Sequence, residues 1–180
     1  MTIPSTSPPP APGETLVWYR PERITQRFEL RRGQAAMATL TFHAAPAIAW
    51  ELTARHAATA ESADAMWRIT VVRRGCLGLK ADVHVEGANE GVLEASYFLR
   101  KATASVSQMP GYQWTGSIVK NSSDVFLHPE GFPVVRFDRG SYFDRVNARV
   151  AVLAETPPRD ILLLASLGLY MRLLMNKIYR

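Results

Sequence analysis

The sequence predicts one mainly β domain, a closed antiparallel β-barrel of about 12 strands around a buried apolar C-terminal α-helix. Three observations predict it. From Ile24 to Leu153, stretch after stretch alternates apolar and polar residues with a period of two. Turn-forming residues separate the stretches. The chain then ends in a run, Ile161–Met171, in which every residue but Ser166 is apolar or glycine.

The first 14 residues are set apart. Ser, Thr and Pro dominate up to Gly13, and Pro8-Pro9-Pro10 with Pro12 favours extended, unpaired backbone. Residues 1–14 are therefore expected to form a disordered tail. The start has neither the basic residues nor the apolar stretch of a signal peptide. Residues 15–180 read as one domain, a usual size for a single core.

Ile24, Phe28 and Leu30 share a face against Thr25, Arg27 and Glu29. Arg31-Arg32-Gly33 is the turn, and the return strand carries Ala36, Ala38, Leu40 and Phe42. A strand is expected at 48–55, while 57–65, rich in alanine, reads as a helical turn or a loop. Trp67, Ile69 and Val71 then oppose Arg68 and Thr70. After the turn Arg73-Arg74-Gly75, Leu77, Leu79, Ala81, Val83 and Val85 face one way and Gly78, Lys80, Asp82, His84 and Glu86 the other. This alternation predicts a strand with one face on a core and one in water. Further strands are predicted at 92–100, 103–107, 112–119, 125–128, 132–138 and 147–153. Between them lie the turns Glu86-Gly87, Met109-Pro110-Gly111, Asn121-Ser122-Ser123 and His128-Pro129-Glu130-Gly131.

Thr156-Pro157-Pro158-Arg159-Asp160 opens a helix, with proline in the first turn and Asp160 at the positive end of its dipole. The helix is expected over 159–178. A helix apolar on all sides is buried either in protein or in lipid. A membrane span needs about 20 apolar residues. This run has eleven before Arg172, and Arg172, Asn176 and Arg180 then add a polar stripe. Length favours a core helix over a tail anchor.

Composition narrows function. The net charge of +5 and pI near 9.7 suit an anionic partner such as a phospholipid surface. Nucleic acid is not expected, because Trp18, Trp50, Trp67 and Trp114 are dispersed and base stacking needs them beside the cations. Cys76 is the single cysteine, so no internal disulfide forms, which suits a cytoplasmic setting. No metal is expected: His43, His56, His84 and His128 have no zinc spacing. No phosphate-binding glycine loop or nucleophile elbow is present. Asp138 and Asp144 each precede an arginine near a Gly-Ser turn, where capping and surface pairing explain them better than acid–base chemistry. Neither an enzyme nor a cofactor is indicated.

A run of hairpins closed by one all-apolar helix resembles the tubby C-terminal-like superfamily, which includes the LURP-one-related proteins and the phospholipid scramblases. The resemblance is carried by the hairpins from Ile24 to Leu153, by Gly111-Tyr112-Gln113-Trp114 and by Ile161–Met175. It implies a barrel surrounding a central helix. It also implies a binding module rather than an enzyme, since tubby domains bind phosphoinositides through basic side chains. Those basic residues find no residue-by-residue match in this chain, and neither a calcium loop of the EF-hand kind nor a cysteine cluster for acylation is present.

The sharpest basic features are the tips Arg31-Arg32-Gly33 and Arg73-Arg74-Gly75, joined by Arg100-Lys101. Guanidinium groups fork onto phosphate oxygens. Arg31, Arg32, Arg73, Arg74, Arg100 and Lys101 are thus the candidate lipid-phosphate contacts, against the plainer reading that hairpin tips are simply charged and wet. The expected function is binding of an anionic phospholipid or a protein at a membrane periphery. The alternatives are an apolar-ligand carrier, if the helix leaves room in the barrel, and a tail-anchored protein.

Overall fold

Residues 8–22, 26–43, 58–62, 66–74, 78–85, 88–96, 101–106, 109–116, 123–139 and 146–178 are described by the computed structural model of the chain. The alternating stretches form strands β1 (Thr15–Tyr19), β2 (Arg27–Arg32), β3 (Ala35–Phe42), β4 (Ala58–Ser62), β5 (Met66–Arg74) and β6 (Gly78–Val85). They continue as β7 (Ala88–Ser96), β8 (Lys101–Val106), β9 (Tyr112–Thr115), β10 (Asp124–Leu127), β11 (Pro133–Arg139) and β12 (Val146–Val152). Each pairs antiparallel with its neighbours in sequence, and β1 pairs with β12, from Thr15 opposite Ala151 to Tyr19 opposite Val146. The sheet therefore closes into a barrel and has no free edge.

The period of two sorts residues to the two faces. On β8, Ala102, Ala104 and Val106 are buried while Lys101, Thr103 and Ser105 are exposed. The tip of the β2–β3 hairpin needs Gly33 at a positive φ of 56°, and Gly131 at 91° does the same after Pro129-Glu130. A register shift after Leu30 pairs it with Ala38 and Arg31 with Ala36. The skipped residue, Met37, is buried beside Ala38, so simple alternation on β3 ends at this bulge.

Helix α1 (Pro158–Ile178) is enclosed by the barrel. Residues 161–171 are all buried, as an all-apolar helix requires. Ser166, its one polar side chain there, donates to the carbonyl of Leu162 at 2.8 Å. Trp18 reaches in from β1 to donate its indole N–H to the carbonyl of Ala165 at 3.1 Å. Gly168 lies against Phe137 of β11, where an added Cβ would run into the ring. Near the far end Tyr170 stacks on Phe42 at 5.7 Å. Among the described residues no helix is long and apolar enough to cross a membrane.

Three expectations change. Residues 58–62 are strand, not helix or loop: Ala58 and Ala60 point inward and the segment pairs with both β3 and β5. Two ladders of hydrogen bonds override the helix preference of alanine. Strand β1, which the alternation did not reveal, places Leu16 and Trp18 inside. Its outward Tyr19 is covered by the guanidinium of Arg31 at 4.3 Å, so both faces are apolar and the period is hidden. Residues 8–14, expected within a disordered tail, hydrogen-bond to the barrel: the Gly13 amide donates to the Val152 carbonyl, and the Glu14 carbonyl accepts from the Val152 amide. The strand expected at 48–55 lies outside the described residues, as do Trp50, Cys76 and Asp144.

Candidate functional site

Strict antiparallel order decides which end of the barrel each connection occupies. Odd-numbered strands run one way and even-numbered strands the other. The end of β2, the start of β9 and the end of β12 therefore share one rim, where α1 enters. The end of β5, the start of β8 and the start of β10 share the opposite rim, where α1 leaves.

This places the candidate cations in two groups. Arg31 and Arg32 close β2 at the entry rim. Arg73 and Arg74 close β5, and Lys101 opens β8, at the exit rim. The register links the second group. Arg74 pairs with Leu79, Leu79 with Ala95, and Ala95 with Ala102, one residue from Lys101. Three inter-strand steps separate these backbones, about 14 Å. Arg100 lies outside the described residues. The two Arg-Arg tips thus stand at opposite ends and form no common patch.

At the entry rim the cations are engaged. Arg31 donates to Glu29 through Nε at 3.0 Å and Nη2 at 2.6 Å while lying over Tyr19. Arg32 donates to the carbonyl of Pro8 at 2.6 Å and to Glu14 at 2.7 Å, strapping the N-terminal segment to the barrel. At the same rim the first turn of α1 holds Asp160, which is buried and accepts a hydrogen bond from the Tyr112 hydroxyl at 3.1 Å. Burial pushes the Asp160 carboxyl above its usual range, against the opposing pull of Tyr112 and of the Arg159 charge. Burial raises Tyr112 too, reinforced by the neighbouring Asp160 charge. The His128 ring meets Tyr112 edge-on at 5.9 Å and stacks on Phe132 at 4.5 Å.

The exit rim is arranged differently. Arg172 of α1 lies 3.3 Å from Asp124 of β10 and donates to the carbonyl of Asp138 at 3.3 Å. The Asp138 carboxylate accepts from Ser123 and Arg136, a surface network as expected for it. Lys101 is exposed on the outer wall. Lys80, exposed on β6 two strands away, pairs with Glu94 of β7 at 3.2 Å. Lys80 was visible in the sequence as an outward residue of an alternating strand, but its place on this rim depends on the barrel order. The Asp160–Tyr112 and Arg172–Asp124 contacts span 48 residues of sequence in each case, and no local pattern announces them.

Among the described residues no group of three or more His, Cys, Asp or Glu side chains is placed to hold a metal ion. His43 shares a hydrogen bond with Thr59 at 2.6 Å and His128 lies near Glu130, so both act within the surface. Comparison of the chain with family models, curated proteins and solved structures returned no match.

Proposed function

We propose that the protein is a non-enzymatic, tubby-like binding module that works in the cytoplasm, at the periphery of a membrane, and takes anionic phospholipid headgroups at the exit rim. One observation carries this reading. The barrel order puts the end of β5, which carries Arg73 and Arg74, and the start of β8, which carries Lys101, at one rim, with Lys101 exposed. The competing cations Arg31 and Arg32 are occupied by Glu29 and Glu14. The net charge of +5 adds long-range attraction to such a surface.

Each cation near an anionic membrane contributes about 1 kcal/mol. Reversing three of them should therefore weaken binding by at least about 100-fold. Sedimentation with phosphatidylcholine vesicles containing phosphatidylinositol bisphosphate tests this. Wild type should sediment in a salt-sensitive manner, and the triple variant Arg73→Glu, Arg74→Glu, Lys101→Glu should stay in the supernatant with an unchanged melting curve. The reading is lost if wild type ignores the vesicles, or if the folded triple variant sediments as wild type does.

A further inference from the structure

We propose that the entry rim carries a docking surface for a protein segment in which basic residues flank an apolar side chain, a surface built around Phe132 and Leu153 and bordered by Glu130 and Glu155.

Among the described residues three large apolar side chains stay exposed, Met66, Phe132 and Leu153. The alternating strand directions put all three at the entry rim, where β5 and β11 start and β12 ends. Met66 stands across the mouth of the barrel, since β5 lies six steps from β11 in the closed order. Phe132 and Leu153 belong to one patch. The Leu153 amide donates to the Val134 carbonyl, the Gly13 amide to the Val152 carbonyl and the His128 amide to the Phe132 carbonyl. Segments 11–14, 152–155, 132–134 and 127–130 therefore lie side by side, about 14 Å across. Ala11, Pro12, Pro129 and Pro133 are exposed with the two larger residues and extend the apolar area. A grouped apolar patch on a molecule's surface marks an interaction site more often than scattered residues do.

The central anchor is held in place. Phe132 stacks on His128 at 4.5 Å, and His128 meets edge-on the ring of Tyr112, whose hydroxyl donates to Asp160. Gly131, at a φ of 91°, sets the turn that presents the ring. A ring already fixed by its neighbours loses little freedom on binding, and buried aromatic anchors carry much of the energy of interfaces.

Charge selects the partner. The cations of this end are engaged: Arg31 with Glu29, Arg32 with Glu14, while the Arg159 charge acts on Asp160. The Glu130 side chain is 75 % exposed, and Glu155 is exposed too. Two solvent-facing carboxylates beside an apolar patch repel an anionic membrane and attract a cationic segment. The inference does not rest on headgroup binding, which belongs to the opposite rim.

Fluorescence anisotropy with a labelled short peptide, lysines flanking a leucine pair, tests it on the full chain. Wild type should bind this peptide saturably and less tightly as salt rises. Peptides with glutamates flanking the same pair, or lysines flanking a serine pair, should bind at least about 10-fold more weakly. Phe132→Ser should lower affinity at least about 10-fold with an unchanged melting curve. If that variant does not fold, Leu153→Ser serves under the same criterion. The double variant Glu130→Gln, Glu155→Gln should weaken binding and remove most of its salt dependence. Reversal of Arg73, Arg74 and Lys101 should leave peptide binding intact, and Phe132→Ser should leave sedimentation with phosphoinositide vesicles intact, so the two rims fail separately. Absence of saturable binding by wild type overturns the surface, as does wild-type affinity in the folded serine variant. Equal affinity for the glutamate peptide overturns the assigned partner chemistry. So does capture of wild type by phosphatidylcholine vesicles that is lost in Phe132→Ser, which would make the patch a membrane wedge.

Discussion

Asp160 answers to two demands that pull its charge in opposite directions. In the first turn of a helix a negative charge meets the positive end of the dipole. Enclosed by the barrel, the same charge has lost its water, and burial outweighs the Tyr112 hydroxyl and Arg159. The folded carboxyl therefore holds its proton to higher pH than the unfolded one. A raised pKa contributes stability that is complete below the unfolded value, about 3.9, and disappears as pH rises through the folded value. Tyr112 follows the same sign higher up: its contribution is complete below about pH 10 and is lost above it. Urea unfolding across pH should show both declines. Asp160→Asn should flatten the first, between acid and neutral pH, and Tyr112→Phe the second; a parent-like acid-to-neutral slope in Asp160→Asn would show that burial does not govern this carboxyl. The sequence announced Asp160 as a helix-start residue but not its burial, because its partner lies 48 residues away on another element. The arginine tips were legible as charge for the same local reason, while Glu14, which occupies Arg32, came from a segment that reads as tail.

At the scale of the element, α1 fits because of what it lacks. Gly168 costs a helix about 1 kcal/mol relative to alanine. The chain carries it where an alanine Cβ would meet the Phe137 ring. Packing outweighs propensity here, since forcing an extra methyl into a filled core costs about 1–3 kcal/mol. Gly168→Ala should therefore lower stability by up to about 2 kcal/mol despite its better propensity. Phe137→Leu should restore part of the loss in the double variant, and chemical denaturation of the four members of this cycle measures it. A Gly168→Ala variant more stable than wild type would mean that Phe137 moves aside at no cost. The helix itself, predicted over 159–178 and observed over Pro158–Ile178, was readable because an all-apolar run has few homes. Strands β1 and β4 were not. On β1 the outward Tyr19 is apolar and shielded by Arg31, which erases the alternation. On β4 the inward residues are Ala58 and Ala60, whose local preference is helical and whose strand state comes from neighbours on both sides.

For the molecule as a whole, closure and filling depend on each other. Pairing β1 with β12 joins the two ends of the sheet across more than a hundred residues of chain, and it encloses a lumen that the side chains of a 12-stranded barrel do not fill. The helix supplies the missing volume. Ile161, Leu162, Leu163, Leu164, Leu167 and Leu169 are all buried, and each contributes about 1.5–3 kcal/mol, roughly 9–18 kcal/mol together. That matches or exceeds the roughly 5–15 kcal/mol net stability of a typical domain. Removing the helix also strips the acceptor from the Trp18 indole and the guanidinium from Asp124. A chain ending at Arg159 should therefore fail to fold, giving weak near-ultraviolet dichroism and aggregation at concentrations where the full chain is monodisperse. A detachable anchor makes the opposite forecast, a truncated chain that is folded and more soluble than its parent. A cooperative melt from the truncated barrel would show that the twelve strands close without their plug, and that the helix occupies the lumen as a ligand does rather than as part of the core.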